Sequence, residues 1–273
     1  MTTRITETFE TLKRRNQLAF MPFVTAGDPD LEATKLLIRE LGGAGVDLIE
    51  IGFPYSDPIA DGPVIQASYS RALNKHLHVR EIFAAITELN GETLPPLVAM
   101  VSYAIVFRAG VPQFIKHCTK AGIEGLIIPD LPGDEAADVF EQVQAAGLDL
   151  IQLVAPTTPR QRVQQILKSC SGFVYCVAVA GTTGEREHVA AALLDQLRWL
   201  RDETELPLAV GFGISRPEHV QPLRGLAQGV IVGSAIVRHL QEITEGKRGI
   251  DEALREIRQF AEEMSAAAHG DSQ

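Results

Sequence analysis

An α/β fold, a closed (β/α)₈ barrel of the TIM type with an extra N-terminal helix, is predicted by three features of this 273-residue sequence. Short apolar segments recur along it, each followed by a Gly- or Pro-rich loop and then an apolar stripe repeating at three and four residues. The segments are apolar throughout instead of alternating, which marks strands buried on both faces of a parallel sheet. Eight such units in this length suit a closed barrel better than an open, doubly wound sheet.

The first apolar stripe, Ile5, Phe9 and Leu12, predicts a helix that can plug the barrel floor. The eight strands are expected at Leu18–Thr25, Val46–Gly52, Leu97–Val101, Gly125–Ile128, Leu148–Val154, Phe173–Val179, Leu208–Gly211 and Gly229–Val232. Between them run helical stripes. Leu31, Leu36, Leu37 and Leu41 form one, and Val79, Ile82, Phe83, Ile86 and Leu89 the next. Val111 to Cys118, Val139 to Val143, Val163 to Leu167 and Leu193 to Leu200 follow, then Val220, Leu223 and Leu226. The last helix, marked by Leu254, Ile257, Phe260 and Met264, is expected to pack outside, with the tail from Ala266 frayed. No Pro/Ser-rich linker and no charge block interrupts the pattern, so residues 1–273 are expected to form a single domain.

Composition narrows the function. A formal net charge of -10 argues against nucleic acid and anionic membranes as partners. A small anionic ligand is still allowed, because backbone amides can bind phosphate without basic side chains. No apolar run is long enough to span a membrane, and the polar, amphipathic N-terminus is unlike a cleaved secretory signal. Cys118, Cys170 and Cys176 show no metal spacing and cannot complete a set of disulfides, which fits free thiols in a reducing cytoplasm. His76 and His78 have no ligand-spaced partner and read as loop residues.

The stretch Val46 to Pro63, V-D-L-I-E-I-G-F-P-Y-S-D-P-I-A-D-G-P, carries the candidate chemistry. It opens as a buried strand holding one carboxylate, Glu50, between apolar neighbours. A carboxylate there costs several kcal/mol of desolvation unless it is paired or stays neutral. Asp61 follows in a loop stiffened by Pro58 and Pro63. Two carboxyl groups in different surroundings at the mouth of one strand-loop unit suit an acid–base pair. A structural ion pair at Glu50 and an ordinary Asp-Gly turn at Asp61 are the competing readings.

Barrels of this kind commonly hold a phosphate at the ends of strands seven and eight. Glycines stand in those places: Gly211-Phe212-Gly213-Ile214-Ser215 and Gly233-Ser234-Ala235, with Ala180-Gly181-Thr182-Thr183-Gly184 after strand six. Glycine lets backbone approach an oxyanion closely, and Ser234 opens a helix whose first amides lack intrahelical partners. Simple turn chemistry would also account for these glycines.

The segments P-F-V-T-A-G-D-P (22–29), E-I-G-F-P-Y-S-D-P-I-A-D-G-P (50–63), A-G-T-T-G (180–184), G-F-G-I-S (211–215) and G-S-A-I-V (233–237) resemble, in order and spacing, the tryptophan synthase α chain family. The resemblance implies a (β/α)₈ barrel that cleaves indole-3-glycerol phosphate to indole and glyceraldehyde 3-phosphate. It implies a partner β chain in an αββα tetramer that receives the indole and carries pyridoxal phosphate, with no cofactor or metal in this chain. By the same resemblance Glu50 and Asp61 are catalytic. Phe23 and Phe212 wall the indole pocket, and Tyr175 lines the site. Gly184, Gly213, Gly233 and Ser234 hold the phosphate, and Thr183 lies on a mobile loop that closes over substrate. Asp130, in I-P-D-L-P, resembles a family aspartate behind the site, and helix capping would explain it equally well.

One stretch departs from the pattern. After strand three the family usually reads Tyr-Tyr-Asn-Pro, whereas this chain reads Ser102-Tyr103-Ala104-Ile105, a loop that with Pro54 to Asp57 faces the β partner. That difference leaves open a stand-alone lyase releasing free indole. The barrel and its glycine loops would also suit a non-catalytic, phosphate-binding activator of the β chain or a sugar-phosphate isomerase. The pairing of Glu50 with Asp61 speaks against both.

Overall fold

The computed structural model describes residues 2–58, 61–133, 135–177, 186–211 and 213–270. Eight parallel strands close in sequence order: β1 (Ala19–Thr25), β2 (Ile49–Gly52), β3 (Leu97–Met100), β4 (Ile123–Ile127), β5 (Asp149–Val154), β6 (Val174–Val177), β7 (Leu208–Gly211) and β8 (Gly229–Val232). Closure comes from β1 pairing with β8, Ala19 against Gly229 and Pro22 against Val232.

Around the strands lie α1 (Arg4–Arg14), α2 (Leu31–Gly43), α3 (Pro63–Leu73), α4 (Val79–Thr87), α5 (Tyr103–Ala109) and α6 (Val111–Ala121). Then come α7 (Ala136–Ala145), α8 (Arg160–Lys168), α9 (Arg186–Glu203), α10 (Ser234–Thr244) and α11 (Ile250–His269). Because side chains alternate along a strand, each strand feeds two cores. Phe20, Val24, Ile49 and Ile51 face outward to the helices, while Met21, Phe23, Val98, Ile151 and Phe173 fill the barrel.

The N-terminal helix closes the floor as its apolar stripe predicts. Ile5, Phe9 and Leu12 are buried with the barrel-interior residues. The Phe9 ring lies 5.6 Å from that of Phe173, and a Cβ on Gly125 would stand 2.8 Å from Ile5 Cδ1. Thr3 accepts from Thr6 N to cap the helix and donates to buried Asp149 at 2.5 Å. Truncating Phe9→Ala opens a cavity under the barrel and is expected to cost about 3–5 kcal/mol. Urea unfolding should show it as a lowered midpoint.

Several expectations need correction. Strand β2 begins at Ile49, not Val46: Asp47 meets β1 through a local pair of bonds, its N–H donating to Phe20 O at 3.0 Å and its carboxylate accepting from Phe20 N at 2.8 Å, ahead of the regular ladder. Strand β4 starts earlier than expected, at Ile123. Leu36 is 41% exposed, and Ile38 takes the inward place on α2. The stripe Val220, Leu223, Leu226 is not an α-helix but two short 3₁₀ turns, Pro217–His219 and Gln221–Leu223, since Pro222 has no N–H to donate. The tail is helical through His269 instead of fraying at Ala266. Ala268 is fully buried, its carbonyl accepts from Leu18 N at 3.0 Å, and Gly270 ends the helix in the left-handed conformation. Residues 103–105 begin α5 instead of forming a loop.

Candidate active site

Strand β2 runs Ile49-Glu50-Ile51-Gly52, all buried. The period of two sends Ile49 and Ile51 to the helices, and therefore Glu50 and Gly52 into the barrel. Phe23 pairs with Glu50 in the β1–β2 ladder, and Pro22 pairs with Val232 in the β1–β8 ladder. Extending the registers one step sets Gly233 level with Phe23, so Glu50 and the β8 loop stand at the same height on either side of the Phe23 ring. The glycines and the carboxyl group thus share one end of the barrel.

Glu50 is 3% exposed, and its Oε1 has no hydrogen-bond partner among the described residues. No lysine or arginine pairs with it there, which removes the ion-pair reading. Burial first, and then the negative charge of Asp61, raises its pKa from 4.5 to about 8. Asp61 is partly buried, and burial lifts it from 3.8 to about 6. Between these values the pair holds one proton, on Glu50.

The loop bearing Asp61 is held from α3. Asp61 N donates to Pro58 O at 3.1 Å, and the Gln66 amide donates to Asp61 O at 2.8 Å and to Pro58 O at 3.2 Å. Gly62 precedes α3 and Pro63 opens it, a position where the missing N–H is harmless. Helix α3 is in turn fixed to the loop after β1: Arg71 donates to both oxygens of fully buried Asp28, at 3.0 and 2.6 Å, and Ser68 donates to the same carboxylate.

Tyr175 on β6 is 4% exposed, with its hydroxyl against Gly211, where no Cβ would fit. Burial, then the charges of Glu50 and Asp61, hold its phenol well above the ordinary range. Phe23 is also buried, packing over Gly52 and 3.5 Å from where a Gly233 Cβ would lie. Gly213 has φ +80° and open space where a Cβ would be, so its backbone can be approached from the barrel mouth. Gly233 precedes α10 and no side chain caps that helix; Ile236 N and Val237 N donate to Gly233 O, which leaves the amides of Ser234 and Ala235 to face an anion. Thr183, Gly184 and Phe212 lie outside the described residues.

Asp130 caps a helix: it accepts from Ser102 Oγ and Tyr103 N, both at 2.7 Å, and so starts α5. Sequence reasoning missed Tyr69 and Thr25, two further buried polar residues beside Gly52. Ile65 and Tyr69 stand four apart on the inner face of α3, the one signal that could have found the tyrosine. A surface groove of about 980 Å³ lined by Arg15, Arg224, Glu263 and His269 lies at the opposite end and has no part in this site. All three cysteines are buried and free, with burial pushing their thiols up. Among the described residues no acidic, His or Cys cluster could hold a metal ion.

The family model described as "Tryptophan synthase alpha chain" matches residues 9–269. A tryptophan synthase alpha chain of Rhodopirellula baltica is 48% identical over 87% of this chain and 86% of its own, and that of a Picosynechococcus is 42% identical over 97% and 99%. Among solved structures, the alpha subunit of Legionella pneumophila superposes with a TM-score of 0.88 at 32% identity over 99% of this chain and all of that one. The Pyrococcus furiosus A-subunit superposes at 0.81 with 36% identity, over 91% of this chain and 98% of that one. Matched along its length at these identities, this eight-stranded barrel belongs to the tryptophan synthase alpha chain family.

Proposed function

We propose that Glu50 and Asp61 carry the reaction of this tryptophan synthase α subunit, a lyase that splits indole-3-glycerol phosphate into indole and glyceraldehyde 3-phosphate. The observation that supports this most directly is the buried, unpartnered carboxyl of Glu50 facing the charge of Asp61. Near neutrality Glu50 holds a proton and donates it to indole C3, which drives the ring toward an indoleninium cation. Ionised Asp61 stabilises the charge that develops at the ring nitrogen. The Glu50 carboxylate then accepts the proton of the hydroxyl on the carbon bonded to C3, the carbon–carbon bond breaks, and Glu50 returns to its starting form. Phe23 and Phe212 wall the indole, Tyr175 lines the site, and Gly184, Gly213, Gly233 and Ser234 take the phosphate. Thr183 belongs to the loop closing over it.

We place the chain as one barrel domain in the cytoplasm, in an αββα tetramer whose β chain carries the pyridoxal phosphate and receives the indole. The free, buried thiols suit that compartment, and no helix among the described residues is long and apolar enough to cross a membrane. Phe107, 68% exposed on α5 beside Tyr103, favours a covered face at the barrel mouth over the stand-alone lyase.

The pH dependence tests the assignment. Activity needs Asp61 ionised and Glu50 protonated, so kcat/KM should fall below about 6 and again above about 8. Indole release followed from about pH 5 to pH 10, with and without the β chain, measures both limbs. A profile flat across that range would refute the pairing.

A further inference from the structure

Three buried polar atoms at the barrel mouth have no hydrogen-bond partner among the described residues: Thr25 Oγ1, Glu50 Oε1 and Tyr69 OH. They sit together. Thr25 pairs with Gly52 in the β1–β2 ladder, and Gly52 follows Glu50 on the inner face of β2. The Tyr69 hydroxyl lies 2.7 Å from where a Cβ on Gly52 would stand, with the Phe23 ring against the same spot. Tyr69 is 1% exposed, its ring 5.4 Å from that of Tyr55.

A tyrosine hydroxyl buried without a partner costs about 1–3 kcal/mol, and phenylalanine would fill the same space without that cost. The hydroxyl is close enough to feel the charges of Asp61 and Glu50, yet no hydrogen bond joins it to either. A gap therefore separates a donor, Tyr69, from a group that alternately gives and takes a proton, Glu50. An alcohol group of a substrate would join the two, since it can donate to the carboxylate and accept from the phenol at once.

We propose that Tyr69 is a substrate-contacting residue whose hydroxyl donates to the side-chain hydroxyl of indole-3-glycerol phosphate that loses its proton to Glu50. This rests on Glu50 acting as the acid–base group. In the cleavage step the proton passes from that hydroxyl to the Glu50 carboxylate, and the O–H electron pair becomes the second bond of the aldehyde. The carbon–carbon pair returns to the ring and restores neutral indole, already protonated at C3. Tyr69 keeps its own proton, which burial and the neighbouring carboxylates hold firmly, and its hydrogen bond strengthens as negative charge grows on the oxygen.

The test is Tyr69→Phe in the full-length chain, assayed alone and with the β chain. The expected result is a loss on the order of 10²-fold in kcat. Affinity for 3-(indol-3-yl)propyl phosphate, which lacks both side-chain hydroxyls, should not change, and the alkaline limb due to Glu50 should persist. Unchanged kcat would overturn the proposal. So would a fall in analogue affinity matching the fall in turnover, because that marks lost packing and not a lost hydrogen bond. Glu50→Gln assayed alongside separates the two claims: undiminished indole release there removes the acid–base group itself, whatever Tyr69→Phe does.

Discussion

Glu50→Gln should leave the barrel folded and reduce indole release at least about 10²–10⁴-fold, toward the larger figure because one group serves two proton transfers. Glutamine keeps the shape of the side chain and can still donate a hydrogen bond, but it cannot release a proton to C3. Turnover of indole-3-glycerol phosphate measures this directly, and activity within the range of the unmodified protein would refute the role. The same variant carries a second signature. Glu50 binds its proton with a pKa of about 8 in the folded chain against an ordinary 4.5, so the folded state holds a proton that the unfolded chain releases between those values. Folding therefore weakens as pH rises from about 4.5 to 8, by roughly 5 kcal/mol in all. Glutamine removes that slope, so the variant should be the more stable protein above about pH 8 and about equal near pH 4.5. Inactivation together with stabilisation at alkaline pH is the mark of a group kept for chemistry.

Asp61→Asn should lower kcat by about 10²–10³-fold, the effect of removing one preorganised charge from a site where cationic character develops. It should also move the other carboxyl. The Asp61 charge is the second cause of the elevated Glu50 pKa, so without it the alkaline limb falls below about 8. The pH–rate profile of the variant reads both effects. A lowered rate with the limb unmoved would mean that the loop had simply shifted. Asn can keep the turn, since among the described residues the loop is held through the backbone carbonyls of Pro58 and Asp61 that Gln66 grips.

What could be read from the residues alone follows the distance over which each feature is decided. The strands were visible because both faces of a parallel sheet are apolar, and Glu50 stood out because it breaks such a run. The floor plug was visible in the spacing of Ile5, Phe9 and Leu12. The errors lie where a local signal was outvoted. Val220, Leu223 and Leu226 have helical spacing, but Pro222 stops the ladder. Ala266 to Ala268 invited a frayed reading, although alanines followed by Gly270 are a helix end, and docking on Leu18 and Arg224 settles it. The start of α5 depends on Asp130, which follows the next strand, and no window around Ser102 contains it. Asp61 was expected in a polar loop, yet burial moves its pKa to about 6. Tyr69 was missed for a related reason: its hydroxyl matters only once α3 is swung over β2 by the grip of Arg71 on Asp28.

The plug at the barrel floor constrains how the chain can assemble during synthesis. Helix α1 is synthesised before the surface that receives it, which is made by Gly125, Asp149 and Phe173 from three later strand units. Strand β1 likewise waits for β8, the last strand made, before its second edge is covered. Until those later strands are made, the apolar stripe of α1 and the second edge of β1 have nothing to pack on, so the partly made barrel exposes more aggregation-prone surface than the finished one.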